Sequence, residues 1–388
     1  MNNKVSRERN SRSIRKKKKA TSMKSISYGF LCGILLLLFI GIVMVYSSSS
    51  YYALYQAKLN NNSEYFFSKV ILWSIVGILG MLFTMSIDYH KYKKMTPYLV
   101  MITLILLVLV LFIGANVNGA TRWLRLGPLS FQPSELAKYV VVLNLALLID
   151  RGRNRIKKFK DGVLYYLFIA AMFAGLVLLE HNLSITAIIM IVAYIMVNAG
   201  GAKPSHTLPF IPVGLVVGLG LIFSSEYRLK RFTTFLNPWR DPSGDSYQLI
   251  QSLYALGSGG TFGVGLGNSR QKALFMPEPH NDFIFAIIGE ELGLIGCLVI
   301  IAIFLFVILK GIRIASQARD NYGFLLGIGI ISVIAVQSII NIAVVTGSMP
   351  VTGVPLPFIS YGGTSLVINL CAMGILLNIS RQGKIEKE

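Results

Sequence analysis

Residues 283–309 read FIFAIIGEELGLIGCLVIIAIFLFVIL, and this stretch decides the fold class. A helix that rises about 1.5 Å per residue needs about 20 mainly apolar residues to cross about 30 Å of hydrocarbon. The stretch meets that length although it carries two adjacent acidic residues, Glu290 and Glu291. It therefore predicts a membrane-spanning helix with carboxylates near its beginning.

Working outward from this stretch, other apolar runs predict further spans. The chain has 388 residues, of which 54% are apolar and 14% charged, too little polar surface for a soluble globule. We predict an all-α polytopic membrane protein with about ten transmembrane helices. The first run exceeds the about 7–15 residues of a signal-peptide core and is predicted to be retained. The other runs are residues 28–46, 67–86, 98–114, 136–149, 163–179, 183–199, 207–223, 323–346 and 364–380.

The distribution of Lys and Arg predicts the orientation. Short loops rich in these residues stay in the cytoplasm, and here they fall on one side, in the N-terminal tail and near residues 90–94, 151–160 and 310–319. An even number of spans then places both termini in the cytoplasm. Three loops are predicted outside: the first loop (115–135), the large second loop between spans 7 and 8 (224–282) and the third loop (347–363). We predict that residues 27–380 form the transmembrane domain, residues 1–26 a basic, disordered cytoplasmic tail and residues 381–388 a second cytoplasmic tail.

The net charge of +20 restricts the possible partners. Basic residues cluster beside apolar runs, which favours anionic lipids at the basic tail and argues against nucleic acid. The three cysteines lie in apolar runs, so we expect neither a disulfide framework nor a zinc site. The glycines of residues 259–267 follow no predicted strand and precede no P-loop Lys-Ser or Lys-Thr, so we expect no nucleotide.

Asp282 stands where the second loop gives way to the stretch quoted above. Its carboxylate is predicted to lie at the outer interface, half desolvated, at or just before a helix N-terminus. Burial raises the pKa of an aspartate while helix amides and cations lower it, and a tuned carboxylate suits a general base. Asp is also among the best helix-capping residues, so a capping role remains open.

Two further pairs of charged residues are expected at membrane depth. Glu290 and Glu291 should face a polar cavity or a cationic partner, because a carboxylate in lipid is costly. A structural ion pair and a functional role both remain open, and one of the two is expected to point inward. Glu135 and Lys138 share a helix face, so Lys138 either anchors an anionic ligand or pairs with Glu135.

The outside loops are also basic. Arg122 and Arg125 flank Trp123, a cationic and aromatic surface suited to sugar and phosphate, although Trp commonly anchors a helix at the interface. In the second loop, basic side chains suit a phosphate partner. These are Arg228, Lys230, Arg231 and Arg240.

Three strings carry a family resemblance: ATRWLRLGPLSFQPSELAK from Ala120, PEPHNDFIFAIIGEELG from Pro277 and PVTGVPLPFISYGG from Pro350. In this order, across ten predicted spans, they resemble the SEDS family of cell-wall glycosyltransferases, which includes FtsW, RodA and SpoVE. The resemblance covers the chain from about Ser27 to Asn378. The stretch QSLYALGSGGTFGVGLGNSRQK from Gln251 is most similar to the FtsW and SpoVE branch.

The resemblance implies a peptidoglycan glycosyltransferase that polymerises lipid II into β-1,4 glycan strands outside the cytoplasmic membrane, in division or sporulation. The aspartate of the family motif PExHTD corresponds to Asp282, the implied catalytic base, and the loop tryptophan corresponds to Trp123. The reaction would be inverting and assisted by a divalent cation, Mg²⁺ or Mn²⁺, whose ligands are unknown. Other substrate-binding candidates are Arg122, Glu135, Lys138, Arg228, Arg231 and His280; supporting candidates are Glu278, Glu290, Glu291 and Ser360.

The implied partners are lipid II, a class B penicillin-binding protein that acts as transpeptidase, and other divisome proteins. The implied location is the bacterial cytoplasmic membrane, at the septum. A lipid II flippase or transporter and a non-catalytic division scaffold are the alternatives. Two positions depart from the family: Asn281 stands where Thr is usual, and the QPDLGT-like turn reads EHNLSIT from Glu180, which places Asn182 where the family has Asp.

Overall fold

The computed structural model describes residues 26–56, 61–117, 120–126, 129–244, 246–273 and 275–383. The predicted basic tail therefore lies outside the described residues, apart from Ile26. The helices are α1 Tyr28–Leu54, α2 Tyr65–Ser86, α3 Tyr92–Ile113, α4 Pro133–Arg151, α5 Tyr165–Leu179, α6 Leu183–Ala199, α7 Pro204–Thr207, α8 Phe210–Phe223, α9 Glu226–Leu236, α10 Tyr247–Gly259, α11 Ile284–Ser316, α12 Asn321–Val345 and α13 Gly363–Gln382.

The predicted membrane class is confirmed by the helices. Eight helical segments among the described residues are long and apolar enough to cross a membrane. The other two predicted runs also form helices: α4 carries Glu135 and Lys138 in its first turns, and α6 has 17 residues. Several helices extend beyond the predicted apolar runs. Helix α11 continues past residue 309 to Ser316, and α13 continues past residue 380 to Gln382. The total of ten spans and their orientation stay predictions.

The core of the bundle forms around α12. This helix packs on α11, α4 and α6, and α13 packs along α2. In the most apolar part of each helix, about two-thirds of the residues of α12 and 72% of those of α13 are buried. In the segment that contains α7 and α8 the share is 6%. Side chains on α8 therefore point away from the rest of the chain, as expected for a lipid-facing helix.

The loops predicted to lie outside contain strands and helices that the sequence did not predict. The first loop contains a three-stranded antiparallel sheet, β1 Ala115–Val117, β2 Ala120–Leu126 and β3 Leu129–Phe131. The second loop contains α9 and α10. Hydrogen bonds join the second loop to the third, and β3 packs on α13. We call the end of the bundle where these segments meet the loop end.

A break in α11 lies near the loop end. Gly293 has φ 68° and ψ −167°, which only glycine adopts readily, so the apolar stretch is interrupted rather than continuously helical. Residues 260–265 fill the break: Val264 N donates to Glu290 O at 3.0 Å, and Leu294 N donates to Gly260 O at 2.9 Å. The glycine-rich segment therefore satisfies main-chain groups at membrane depth.

Candidate active site

Asp282 lies at the loop end, immediately before α11. The N-cap residue of α11 is Phe283, and this cap has no side-chain hydrogen bond, so the capping alternative for Asp282 is not the arrangement seen. The residue is half-buried, and a Cβ atom at Gly353 would lie 3.6 Å from Asp282 Oδ2. Burial raises the pKa of Asp282 to about 6, while the charge of Arg231 lowers it and that of Glu278 raises it.

Two of the basic residues predicted to suit a phosphate partner, Arg228 and Arg231, are separated. Arg231 Nη1 donates to Val351 O at 3.1 Å, which ties α9 to the third loop beside Asp282. Arg228 Nη1 instead donates to Leu221 O at 2.7 Å, at the junction of α8 and α9. Of these two arginines, Arg231 is the one whose charge lowers the pKa of the Asp282 carboxyl.

His280 is held inside an aromatic cluster. Its side chain is 2% exposed, and its ring centroid lies 4.1 Å from Phe66, 5.5 Å from Tyr52 and 5.6 Å from Tyr361. Burial lowers the pKa of His280 to about 3, so the ring is neutral at physiological pH. The His280 carbonyl accepts a hydrogen bond from Tyr361 N at 2.9 Å, which joins the turn before Asp282 to the third loop.

The turn before Asp282 is stabilised by Glu278 and Asn281. Glu278 has φ 45°, an uncommon conformation for a residue other than glycine, and its Oε2 accepts from Asn281 Nδ2 at 2.7 Å. The Asn that replaces the family's usual Thr thus has a local hydrogen-bonding role. Both residues lie within four positions of the candidate base.

Glu135 and Lys138 form a buried pair, each 2% exposed. Lys138 Nζ donates to Glu135 Oε2 at 3.0 Å and to Gln337 Oε1 at 2.6 Å, and Ser365 Oγ donates to Glu135 Oε2 at 2.5 Å. Lys138 therefore pairs with Glu135, which is one of the two alternatives from the sequence. Through Gln337 and Ser365, the pair also cross-links α4, α12 and α13.

Trp123 and Arg122 lie on β2, which packs on α3 and α4. Trp123 is half-buried, and its Cα pairs with that of Ala115 in the sheet. Arg122 donates from Nε to Glu180 O at 3.3 Å and from Nη2 to His181 O. The arginine therefore docks the sheet on the hairpin between α5 and α6.

The altered hairpin at residues 180–182 has a clear structure. Asn182 caps α6, and its side chain accepts from Ile185 N at 3.3 Å, a role that Asn and Asp fill equally well. Glu180 is fully buried, and neither carboxylate oxygen accepts a hydrogen bond from the described residues. Burial raises the pKa of Glu180 to about 8, partly offset by Ser134 and Arg122.

Glu290 and Glu291 anchor the second loop to α11, and both are buried. Glu291 Oε1 lies 2.7 Å from Lys272 Nζ and accepts from Ser47 Oγ of α1 at 2.8 Å. Glu290 accepts from Ser269 Oγ and from Arg270 N at 2.9 Å. These contacts favour the structural alternative, and Lys272 is the cationic partner that the sequence did not identify.

Ser360 and its neighbours shape the third loop. Ser360 Oγ accepts from Leu356 N at 2.8 Å, and Phe358 has φ 65°. A Cβ atom at Gly41 would lie 2.4 Å from Phe358 O, so only glycine lets the loop rest this closely on α1. Ser360 therefore supports the loop rather than projecting from it.

Two amides on α12 were not among the predicted site residues. Gln337 Nε2 donates to Pro355 O at 2.9 Å, and Asn341 Nδ2 donates to Asp282 O at 2.7 Å and to Val354 O at 2.8 Å. A signal was present: two amides four residues apart in an apolar run share a helix face and need partners in lipid. Together they join α12 to Asp282, Lys138 and the third loop.

The described residues contain no group of three or more His, Cys, Asp or Glu side chains that could hold a metal ion. The side chains of these described residues therefore do not form a complete metal site on their own. Magnesium often keeps its waters and binds through substrate phosphates with only one or two carboxylates.

Comparisons with known proteins agree on one family. The model of the FtsW, RodA and SpoVE family, described as "Cell cycle protein", matches residues 29–385. Stage V sporulation protein E of Bacillus subtilis strain 168 is 43% identical over 90% of this chain and 95% of its own length. A probable peptidoglycan glycosyltransferase FtsW of Geobacter sp. strain M18 is 41% identical over 88% and 92%.

Solved structures give the same result for the fold. A chain from a peptidoglycan synthase complex, in which polymerisation and crosslinking are coordinated, superposes with a TM-score of 0.75 at 26% identity, covering 92% of this chain and 98% of its own. The rod shape determining protein RodA of Thermus thermophilus superposes with a TM-score of 0.69 at 24% identity, covering 93% and 99%.

Proposed function

The chain belongs to the FtsW, RodA and SpoVE family of cell cycle proteins, and from this premise we infer that it is a peptidoglycan glycosyltransferase. It is a multi-pass membrane protein. The catalytic proposal rests on the half-buried carboxylate of Asp282. This carboxylate lies at the loop end, beside Arg231 and under the third loop.

We propose that the reaction is polymerisation of lipid II with Asp282 as general base. The carboxylate takes the proton from the 4-hydroxyl of the acceptor sugar, and the oxygen forms a bond to the anomeric carbon of the donor. The bond from that carbon to the undecaprenyl pyrophosphate oxygen breaks, and inversion converts an α-linked donor into a β-1,4 linkage. A pKa of about 6 leaves most of the carboxylate ionised at pH 7 yet basic enough to accept a proton.

The residues around Asp282 support a role in positioning the substrate and not in proton transfer. We propose that the Glu135–Lys138 pair keeps the inner edge of the loop end polar and rigid, and that Trp123 and Arg231 contact sugar and pyrophosphate. A divalent cation would neutralise the pyrophosphate and would be carried mainly by phosphate oxygens, since the described residues provide no ligand cluster. No step of the proton transfer requires it.

The partner and the location are part of the same proposal. The solved complex above couples polymerisation to crosslinking, which supports a class B penicillin-binding protein as partner for this chain. Relatives named FtsW and stage V sporulation protein E support work in the cytoplasmic membrane at a division or sporulation septum.

The test is polymerisation of labelled lipid II by the purified full-length protein with Mg²⁺ or Mn²⁺. Asp282→Asn should lower the rate about 100-fold or more, because general-base catalysis typically contributes 10²–10⁴-fold. The rate of the wild-type protein should rise with pH through about 6, since only the ionised carboxylate accepts a proton. Asp161→Asn, at an aspartate 67% exposed near α5, is the control and should keep the full rate.

A polymerising Asp282→Asn variant would contradict the assignment of the base. The flippase alternative gives a different pattern: movement of labelled lipid II across vesicles that survives in Asp282→Asn, with no glycan product from the wild type. A scaffold would show neither activity.

A further inference from the structure

Asn341 lies on α12, one helical turn after Gln337, with its side chain 1% exposed. It contacts two segments that are distant in sequence. Its Nδ2 lies 2.7 Å from the carbonyl oxygen of Asp282 and 2.8 Å from that of Val354. One side chain therefore joins the residue that bears the candidate base to the loop that covers it.

The orientation of this amide is fixed by chemistry. Both neighbours are carbonyl oxygens, which only accept hydrogen bonds, so the NH₂ end must face them. Among the described residues, Asn341 Oδ1 is buried without a hydrogen-bond donor. The side chain therefore acts through its two N–H groups. Burying Oδ1 without a donor costs free energy, which indicates that the two hydrogen bonds from Nδ2 are needed.

We propose that Asn341 is a positioning residue for the glycosyl transfer: its two N–H groups fix the main chain of Asp282 against the third loop. This inference rests on the proposed function of Asp282. It adds a requirement that the proposed function does not contain, namely that the third loop and Asp282 are held as one unit by α12.

The geometry explains why such a residue is needed. Asp282 precedes the first turn of α11 and has no cap hydrogen bond from its side chain to hold it there, and the third loop is irregular between residues 351 and 358. Gly353, next to Val354, is the residue that approaches Asp282 Oδ2. The hydrogen bond to Val354 therefore keeps Gly353 and the third loop in place over the Asp282 carboxylate. A displacement of about 1 Å at such a site can cost about 100-fold in rate.

The charged groups around Asp282 predict the sign of the effect on its titration. Arg231 from α9 and Glu278 from the turn before Asp282 act on the carboxylate. Gln337, one turn before Asn341 on α12, accepts from Lys138, which is paired with Glu135. Release of the third loop admits water, which removes the burial that raises the pKa of Asp282. Its titration should then move down, toward the ordinary range of an aspartate.

The experiment compares Asn341→Leu with Asn378→Leu in the full-length protein. Leucine has the branched shape of asparagine without its donors. Asn378 is the control: it is 3% exposed, its Nδ2 donates to Met85 O at 2.7 Å, and its Oδ1 accepts from Tyr89 N at 2.9 Å, near the turn that holds His90. Two measurements are made on each variant, the kinetics of lipid II polymerisation and the pH dependence of carbodiimide labelling of Asp282 by peptide mass mapping.

We expect Asn341→Leu to lower kcat about 10- to 100-fold with little change in KM. We also expect its Asp282 labelling midpoint to fall by about one pH unit, whereas Asn378→Leu keeps both wild-type values. A wild-type kcat and midpoint in Asn341→Leu would overturn the inference. An equal loss of kcat in both variants, with an equal loss of thermal stability and no change in midpoint, would show a purely structural role.

The outcome for the proposed function is separate. If the wild-type protein forms no glycan, the proposed polymerase fails, but the labelling midpoints still decide whether Asn341 controls the environment of Asp282. A second variant, Asn341→Ser, keeps one donor and should lie between the wild type and Asn341→Leu in midpoint.

Discussion

At the scale of single residues, three of the carboxylates near the loop end show how different their environments are. Asp282 is half-buried beside Arg231, Glu291 is paired with Lys272, and Glu180 is fully buried without a hydrogen-bond partner among the described residues. The environment decides the use: a carboxylate with partial access to water can exchange protons, whereas a paired one mainly holds structure.

The buried carboxylate of Glu180 gives a stability prediction. Its pKa is about 8 in the folded protein against about 4.5 ordinarily, so the folded state holds the proton more tightly. Its contribution is therefore unchanged below about pH 4.5 and becomes increasingly destabilising as pH rises to about 8. Glu180→Gln should raise the melting temperature in detergent by roughly a few degrees at pH 8 and by less at pH 5.

Differential scanning fluorimetry at the two pH values measures this effect. Glu226→Gln is the control, since this glutamate is 84% exposed and should change neither melting temperature. Equal melting temperatures for Glu180→Gln and wild type at pH 8 would show that water or another group reaches the carboxylate.

The residues of the site differ in how well the sequence predicts them. Asp282 could be found because it marks the change from a polar loop to an apolar run, and that change is visible in composition. Lys272 and Asn341 could not be assigned to their partners, because Glu291 and Asp282 lie 19 and 59 residues away in the chain. Hydrophobic periodicity carries no information about such long-range pairing.

At the scale of elements, residues 259–265 cross α11 in close main-chain contact. A Cβ atom at Gly263 would lie 2.2 Å from Glu291 O, and one at Gly259 would lie 2.0 Å from Gly289 O. These main chains touch without intervening side chains, which explains the glycine content of this segment.

Gly263→Ala should therefore be strongly destabilising. The added methyl group meets main-chain atoms, and φ at this position is 82°, which L residues rarely adopt. We expect a loss of about 2 kcal/mol or more in the free energy of unfolding, within the range known for strained backbone sites. Thermal unfolding of the purified variants provides the measurement.

Gly218→Ala is the matched control for this substitution. Gly218 lies in α8, and a Cβ atom there meets no heavy atom within 4 Å. Alanine is also the better helix former, so this variant should be as stable as wild type or slightly more stable. Similar behaviour of the two variants would contradict the close crossing.

The elements themselves were only partly predictable. Long apolar runs identified the membrane-spanning helices, because hydrocarbon thickness sets their length. The sheet β1–β3 and helices α9 and α10 were missed, since their short, mixed patterns follow tertiary contacts with α3, α4 and α11 more than local composition. The kink at Gly293 was missed because an apolar run reads as one helix whether or not its hydrogen-bond ladder is continuous.

At the scale of the whole molecule, the predicted orientation places the loop end outside the cytoplasm. The test uses single cysteines in a background without Cys32, Cys297 and Cys371. Asn268→Cys, in the exposed part of the second loop, should react with an impermeant maleimide in intact cells. Lys158→Cys, whose parent side chain is 68% exposed, should react only after permeabilisation. The reverse pattern would place the proposed chemistry on the wrong side of the membrane.

The segment that fills the break in α11 has a consequence for insertions and deletions. Surface loops usually tolerate changes in length, but residues 260–265 are bound on both sides, through Glu290 and Glu291 carbonyls and through the amides of Leu294 and Ile295. Adding or removing one residue would shift every one of these bonds out of register. The number of residues between Gly259 and Gly267 is therefore constrained as tightly as the length of a core strand, so engineered tags belong elsewhere in the second loop.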